Sequence, residues 1–132
     1  MRQAFLIAAM AFIAFAFSTA AYGQRHPTRI KFARGATEKT VRGTLSSWKS
    51  KRTFVIRVRE GQTLTTENTG DNSISISVTP PKGSHYEQDM AADCHDKNNV
   101  SPTAAGDYII TVTECRKADP WKGTFKFLVV VN

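Results

Sequence analysis

Cysteine is scarce in this 132-residue chain, which carries only Cys94 and Cys115. The histidines number three, His26, His85 and His95. A structural zinc site needs about four ligands at workable spacing, so only Cys94, His95, His85 and Cys115 together form a conceivable set. The acids on the loop near Cys94 lack the regular spacing of an EF-hand calcium loop. No serine sits on the sharp turn that presents a hydrolase nucleophile, and Ser84 beside His85 is adjacency only. Acidic residues are nearly absent between Gln24 and Arg59, where Glu38 alone faces eleven Lys or Arg. Helical period is missing from everything after the first two dozen residues, which excludes an α-helical domain. No cysteine stands directly after the opening apolar run, which argues against a lipidated N-terminus.

That opening run is the most legible feature present. MRQAFLIAAMAFIAFAFSTAAYGQ has a positive charge at Arg2, apolar residues from Ala4 to Phe17, and small residues at Ser18, Ala20, Ala21 and Gly23. This is the order of a secretory signal peptide, expected to be cleaved after Ala20 or Gly23, with an uncleaved anchor as the alternative. Residues 1–23 are therefore assigned to the signal and 24–132 to one exported domain with no stable membrane insertion. An even cysteine count in an oxidising compartment predicts a Cys94–Cys115 disulfide rather than a metal site, closing a loop of about twenty residues.

The exported part alternates apolar and polar residues with period two, in short runs bounded by turns. Inward positions are Ile30 and Phe32; Val41, Gly43 and Leu45; Phe54, Ile56 and Val58; Leu64 and Thr66; Ile74, Ile76 and Val78; Tyr108, Ile110 and Val112; and Phe125, Phe127, Val129 and Val131. Turns fall at 60–62, 69–72, 80–83 and 105–107. Residues 84–103 show no sustained period and read as a long irregular loop. About seven or eight strands predict an all-β chain folded as an antiparallel β-sandwich, jelly-roll-like or immunoglobulin-like.

Charge changes sign along the chain. Net charge is +10 from Gln24 to Arg59 and −6 from Glu60 to Asp107. Such a division suits an anionic partner on one surface and a cationic partner on another. Without stacking motifs, an exported chain is a poor nucleic-acid binder; anionic envelope polymers such as peptidoglycan, or lipid headgroups, fit better. Asp89, Asp93 and Asp96 crowd the loop around Cys94, as a polar edge and a handle for a cationic partner. Two carboxylates there are the group type that cleaves glycans, but a small sandwich gives them no cleft that would shift their pKa values or exclude water. No enzyme activity, metal or cofactor is expected. Trp48 and Trp121 stand outside the alternation, each with cationic neighbours. They read either as caps over one end of the sandwich or, with Lys49, Arg116 and Lys117, as partner-binding anchors.

The runs GTLSSWKSKRTFVIRVREGQTL, ISISVTPPKG, TAAGDYIITV and FKFLVVV together resemble the periplasmic inhibitors of g-type lysozyme and their wider relatives, the bacterial pre-peptidase C-terminal domains. The elements that carry the resemblance are Gly61 with Gln62, the Pro80-Pro81-Lys82-Gly83 turn and Ala105-Gly106-Asp107-Tyr108. The resemblance implies an eight-stranded jelly-roll-like sandwich, without enzymatic activity, that inserts loops into a lysozyme's glycan cleft. It places contacts at Trp48 with Lys49 and at Arg116 with Lys117, where the family pattern has a tyrosine and two spaced arginines. The expected partner is a g-type lysozyme, in the periplasm or outside the cell. An envelope-polymer or carbohydrate-binding module using the basic surface is the alternative.

Overall fold

A computed structural model describes residues 26–47, 49–88, 94–116 and 118–132. Trp48, Asp89, Asp93, Lys117 and the expected signal at residues 1–23 lie outside the described residues. Eight strands run in chain order: β1 (Thr28–Arg29), β2 (Glu38–Leu45), β3 (Lys51–Val58), β4 (Leu64–Asn68), β5 (Ile74–Thr79), β6 (Lys97–Val100), β7 (Gly106–Glu114) and β8 (Gly123–Val131). They form two four-stranded sheets, ordered β1-β3-β7-β5 and β2-β8-β4-β6. All neighbouring pairs are antiparallel except β1 and β3, which run parallel. Among the described residues, no helix is long and apolar enough to cross a membrane.

Each long strand buries one face because its apolar residues recur at every second position. In β5, Ile74, Ile76 and Val78 are fully buried while Ser75 and Ser77 turn partly outward. Tyr108, Ile110 and Val112 of β7 and Phe125, Phe127, Val129 and Val131 of β8 fill the space between the sheets. Phe54 of the first sheet meets Phe127 of the second edge-on, with ring centroids 5.5 Å apart. A buried aromatic of this kind stabilises the fold by about 1.5–3 kcal/mol through apolar burial alone. Gly43 is required by packing: it pairs with Phe125 across the ladder, and a Cβ there would lie 2.5 Å from the ring carbon Cζ of Phe125.

Two expectations need correction. The Ile30 and Phe32 run is not a strand: pairing stops after the Ile30 N–H donates to Val55 O at 2.8 Å. The chain must then leave the first sheet to start β2 in the second, so Ile30 and Phe32 pack on the core without extending the ladder. The irregular loop at 84–103 also contains a strand, β6, at the edge of the second sheet. Its alternation is hidden because Asn98 occupies a buried position, 2% exposed, where an apolar residue would ordinarily stand.

The glycine and proline motifs singled out in the sequence are joints of this fold. The Gly61 N–H donates to Thr103 O, the Thr103 N–H to Gln62 O, and the Thr103 hydroxyl to Arg59 O, sewing the β3–β4 turn to the segment before β7. Gly106 has φ of 140°, and a Cβ there would lie 2.9 Å from Pro81 Cγ, so the Pro-Pro turn closes against a position only glycine fills comfortably.

Candidate partner-binding end of the sandwich

Strand register gathers four connections at one end. Leu45 at the end of β2 pairs with Gly123 at the start of β8, and Lys51 at the start of β3 pairs with Thr113 near the end of β7. Ile74 opens β5 opposite Glu114, and Lys97 opens β6 opposite Glu67. The links at 46–50, 69–73 and 115–122, with the Cys94–Asp96 approach to β6, therefore converge.

Local chemistry fixes each link. In the first, Ser50 Oγ accepts from the Ser46 and Ser47 N–H groups and donates to Ser47 O, a hydroxyl-centred turn that leaves Lys49 exposed. In the link at 69–73, the Gly70 N–H donates to Asn68 Oδ1, and Asn72 Nδ2 reaches across to Thr124 O at 2.6 Å. In the last, the Cys115 N–H and the Trp121 indole N–H both donate to Ser73 O, at 3.1 and 2.8 Å. The Trp121 backbone N–H donates to Glu114 Oε1. Trp121 thereby folds its link back over the core and is itself half-buried.

Cys94 and Cys115 are joined, with Cα atoms 5.0 Å apart, as the cysteine count predicts. The bond ties the approach to β6 to the end of β7 and removes both thiolates from any zinc set. His85 and His95 do not converge on it. His85 lies in an exposed pair with Glu87, whereas His95 is structural: its Nε2 is 2.9 Å from Asn98 Oδ1. Among the described residues, no three His, Cys, Asp or Glu side chains group as metal ligands do.

Of the residues singled out in the sequence, Lys49, Arg116, Trp121 and Asp96 all fall at this end, the first, second and fourth of them exposed. The surface is of mixed sign, with exposed Lys122 beside exposed Asp71 and Asp119 in the neighbouring links. Glu114 escaped notice in the sequence. It continues the register of Tyr108, Ile110 and Val112 and so enters the core, 2% exposed; an acid at the next inward position of an apolar series was the available signal.

Comparison with solved structures adds a direct observation. The chain superposes on the periplasmic inhibitor of g-type lysozyme PliG from Aeromonas hydrophila with a TM-score of 0.63, covering 80% of this chain and 96% of that one. The Salmonella Typhimurium PliG gives 0.61 with 80% and 97% coverage, and a mutant of the Escherichia coli PliG gives the same three values. The likeness is one of fold. Sequence identity is 18%, 14% and 15% respectively. No family model matches the sequence, and no curated protein does.

Proposed function

We propose that residues 24–132 form one exported, non-enzymatic domain that inhibits a g-type lysozyme in the periplasm. In this reading the links at 46–50 and 115–122 enter the enzyme's glycan cleft. The observation that carries it is the superposition on PliG across 80% of this chain and 96% of the inhibitor, with the links that hold Lys49, Arg116 and Trp121 brought to one end. The disulfide agrees with an oxidising compartment, the one to which the leader proposed at residues 1–23 would direct the domain. The winding assigned with this reading is jelly-roll-like.

A second reading, binding of an anionic envelope polymer, has its own observation. A surface cavity of about 300 Å³ is lined by Phe32, Arg57, Arg59, Gln62 and Val131 among others, at the opposite end of β3, joining cationic and apolar groups. Two assays separate the readings: inhibition of a g-type lysozyme on labelled peptidoglycan, and sedimentation with purified peptidoglycan without enzyme. Inhibition without sedimentation is expected; sedimentation alone sinks the inhibitor reading. Trp48→Ala and Arg116→Ala should each weaken inhibition by about 1–2 kcal/mol, roughly five- to thirtyfold, with the fold retained. Unchanged potency in both refutes this placement of the contact.

A further inference from the structure

The surface cavity of about 300 Å³ at the end of β3 has a lining of two kinds. Its polar side carries Arg57 and Arg59, both exposed, and Gln62, and no carboxylate lines it. Neither guanidinium forms an ion pair among the described residues. Asp107, opposite Arg57 in the β3–β7 register, is bonded instead by Arg29 through both of its carboxylate oxygens. The Arg59 backbone N–H can only donate, so its 2.7 Å bond marks the accepting atom as Gln62 Oε1 and leaves Nε2 as a donor. Two charged forks and an amide N–H group on one rim select an anion. Phe32, Ala36 and Val131 form the apolar side, which a bare inorganic ion has no means of using.

We propose that this cavity binds an N-acylated small amino acid by its free carboxylate. The carboxylate sits on Arg57, Arg59 and Gln62 Nε2, and the small side chain lies against Phe32, Ala36 and Val131. A phosphate would satisfy the guanidinium forks equally but would leave the apolar wall unused. The assignment goes beyond the inhibitor reading, because the cavity lies at the opposite end of β3 from the links which that reading uses. Its test contains neither lysozyme nor polymer, so its failure leaves the inhibitor reading standing.

The test is an amide chemical-shift titration of the mature chain at constant ionic strength. The probes are N-acetyl-L-alanine and N-acetyl-D-alanine, against N-acetylalaninamide and inorganic phosphate. Saturable shifts at Ala36, Arg59, Gln62 and Val131 are expected with at least one acetylalanine, and the preferred enantiomer tells an L source from a D source. Phosphate should bind more weakly and the amide not at all. Arg57→Gln together with Arg59→Gln removes two charges from exposed positions and should weaken binding at least about tenfold. Gln62→Glu keeps an acceptor for the Arg59 N–H but turns the donor into a carboxylate oxygen, so it should weaken binding as well; it decides the matter if the double variant does not fold. No saturable shift with either enantiomer, equal binding of the amide or phosphate, or unchanged affinity in the folded variants overturns the proposal.

Discussion

Asn98 concentrates more specific bonding than any apolar residue of the core. Its Nδ2 donates to Thr66 Oγ1 at 3.1 Å and to Ile76 O at 2.8 Å, and its Oδ1 lies 3.0 Å from the Tyr86 hydroxyl and 2.9 Å from His95 Nε2. The Ile76 carbonyl can only accept, which fixes the amide's orientation and makes both Tyr86 and His95 donors to Oδ1. Burial raises the pKa of Tyr86, opposed by a backbone bond at Asn99, so the phenol remains a donor across the ordinary pH range. Asn98→Ala would leave two buried acceptors, Thr66 Oγ1 and Ile76 O, without this partner. It should destabilise the protein by about 3 kcal/mol, read as a lower urea midpoint with an unchanged slope. Such a residue is illegible in one sequence because asparagine usually marks turns. Its interior use depends on Thr66, Ile76, Tyr86 and His95 converging from distant segments.

Strand edges explain why the region after β5 is built as it is. β5 is an edge strand, and its outer polar groups meet non-strand partners: Ile76 N–H donates to His95 O at 2.7 Å, and Val78 exchanges two bonds of 2.8 Å with the Gln88 side-chain amide. Covered in this way, the edge is closed to pairing with another chain. The disulfide holds the same region to β7 and closes a loop with a sequence separation of 21. Replacing both cysteines by serine should therefore cost about 3 kcal/mol in the chain-entropy model, measured by thermal and urea unfolding. At the other edge, Arg29 of β1 donates to both carboxylate oxygens of Asp107 in β7, at 3.3 and 3.2 Å, reaching past β3. The Arg29 hydrogen bond holds the Asp107 carboxyl below its ordinary value; burial opposes this, and the charges of Arg29 and Arg57 add to it. A folded-state pKa below the unfolded one gives stability that is present above about pH 4 and lost as pH falls through the folded value. Melting curves from neutral pH into acid should accordingly show Asp107→Asn less stable than the natural chain at pH 6 and indistinguishable from it once Asp107 is protonated. Six of the eight strands, all but the short β1 and β6, lie where period two indicates an inward face, because apolar alternation records burial directly. The exceptions are places where polar atoms or a change of sheet replace apolar contact: β6 around Asn98, and the exit from β1 after Ile30.

At the scale of the molecule, pairing joins segments far apart in the chain, and this decides both what a sequence can reveal and what a truncation will do. The convergence of Lys49, Arg116, Trp121 and the disulfide follows from the order β2-β8-β4-β6 beside β1-β3-β7-β5, which local alternation does not encode. Tryptophans outside the pattern and an even pair of cysteines were legible; the carboxylate of Glu114 beneath Trp121 depended on that convergence. β8 is the inner strand on which β2 and β4 both depend, and it buries Phe125, Phe127, Val129 and Val131. At about 1.5–3 kcal/mol for each buried side chain, its loss is comparable with the entire net stability of a small domain, about 5–15 kcal/mol. Deleting residues 123–132 should thus abolish the folded state, seen as lost strand signal in circular dichroism and collapsed amide dispersion in NMR. Deleting the chain through residue 29 removes, among the described residues, the two-residue β1 and the Arg29–Asp107 pair, and should leave a folded protein of lower melting temperature. A folded chain after the first deletion, or an unfolded one after the second, would contradict the strand order. Because β2 must find β8 from the far end of the chain, refolding should also fall in the millisecond-to-second range typical of sandwiches dominated by non-local pairing, which stopped-flow tryptophan fluorescence would record.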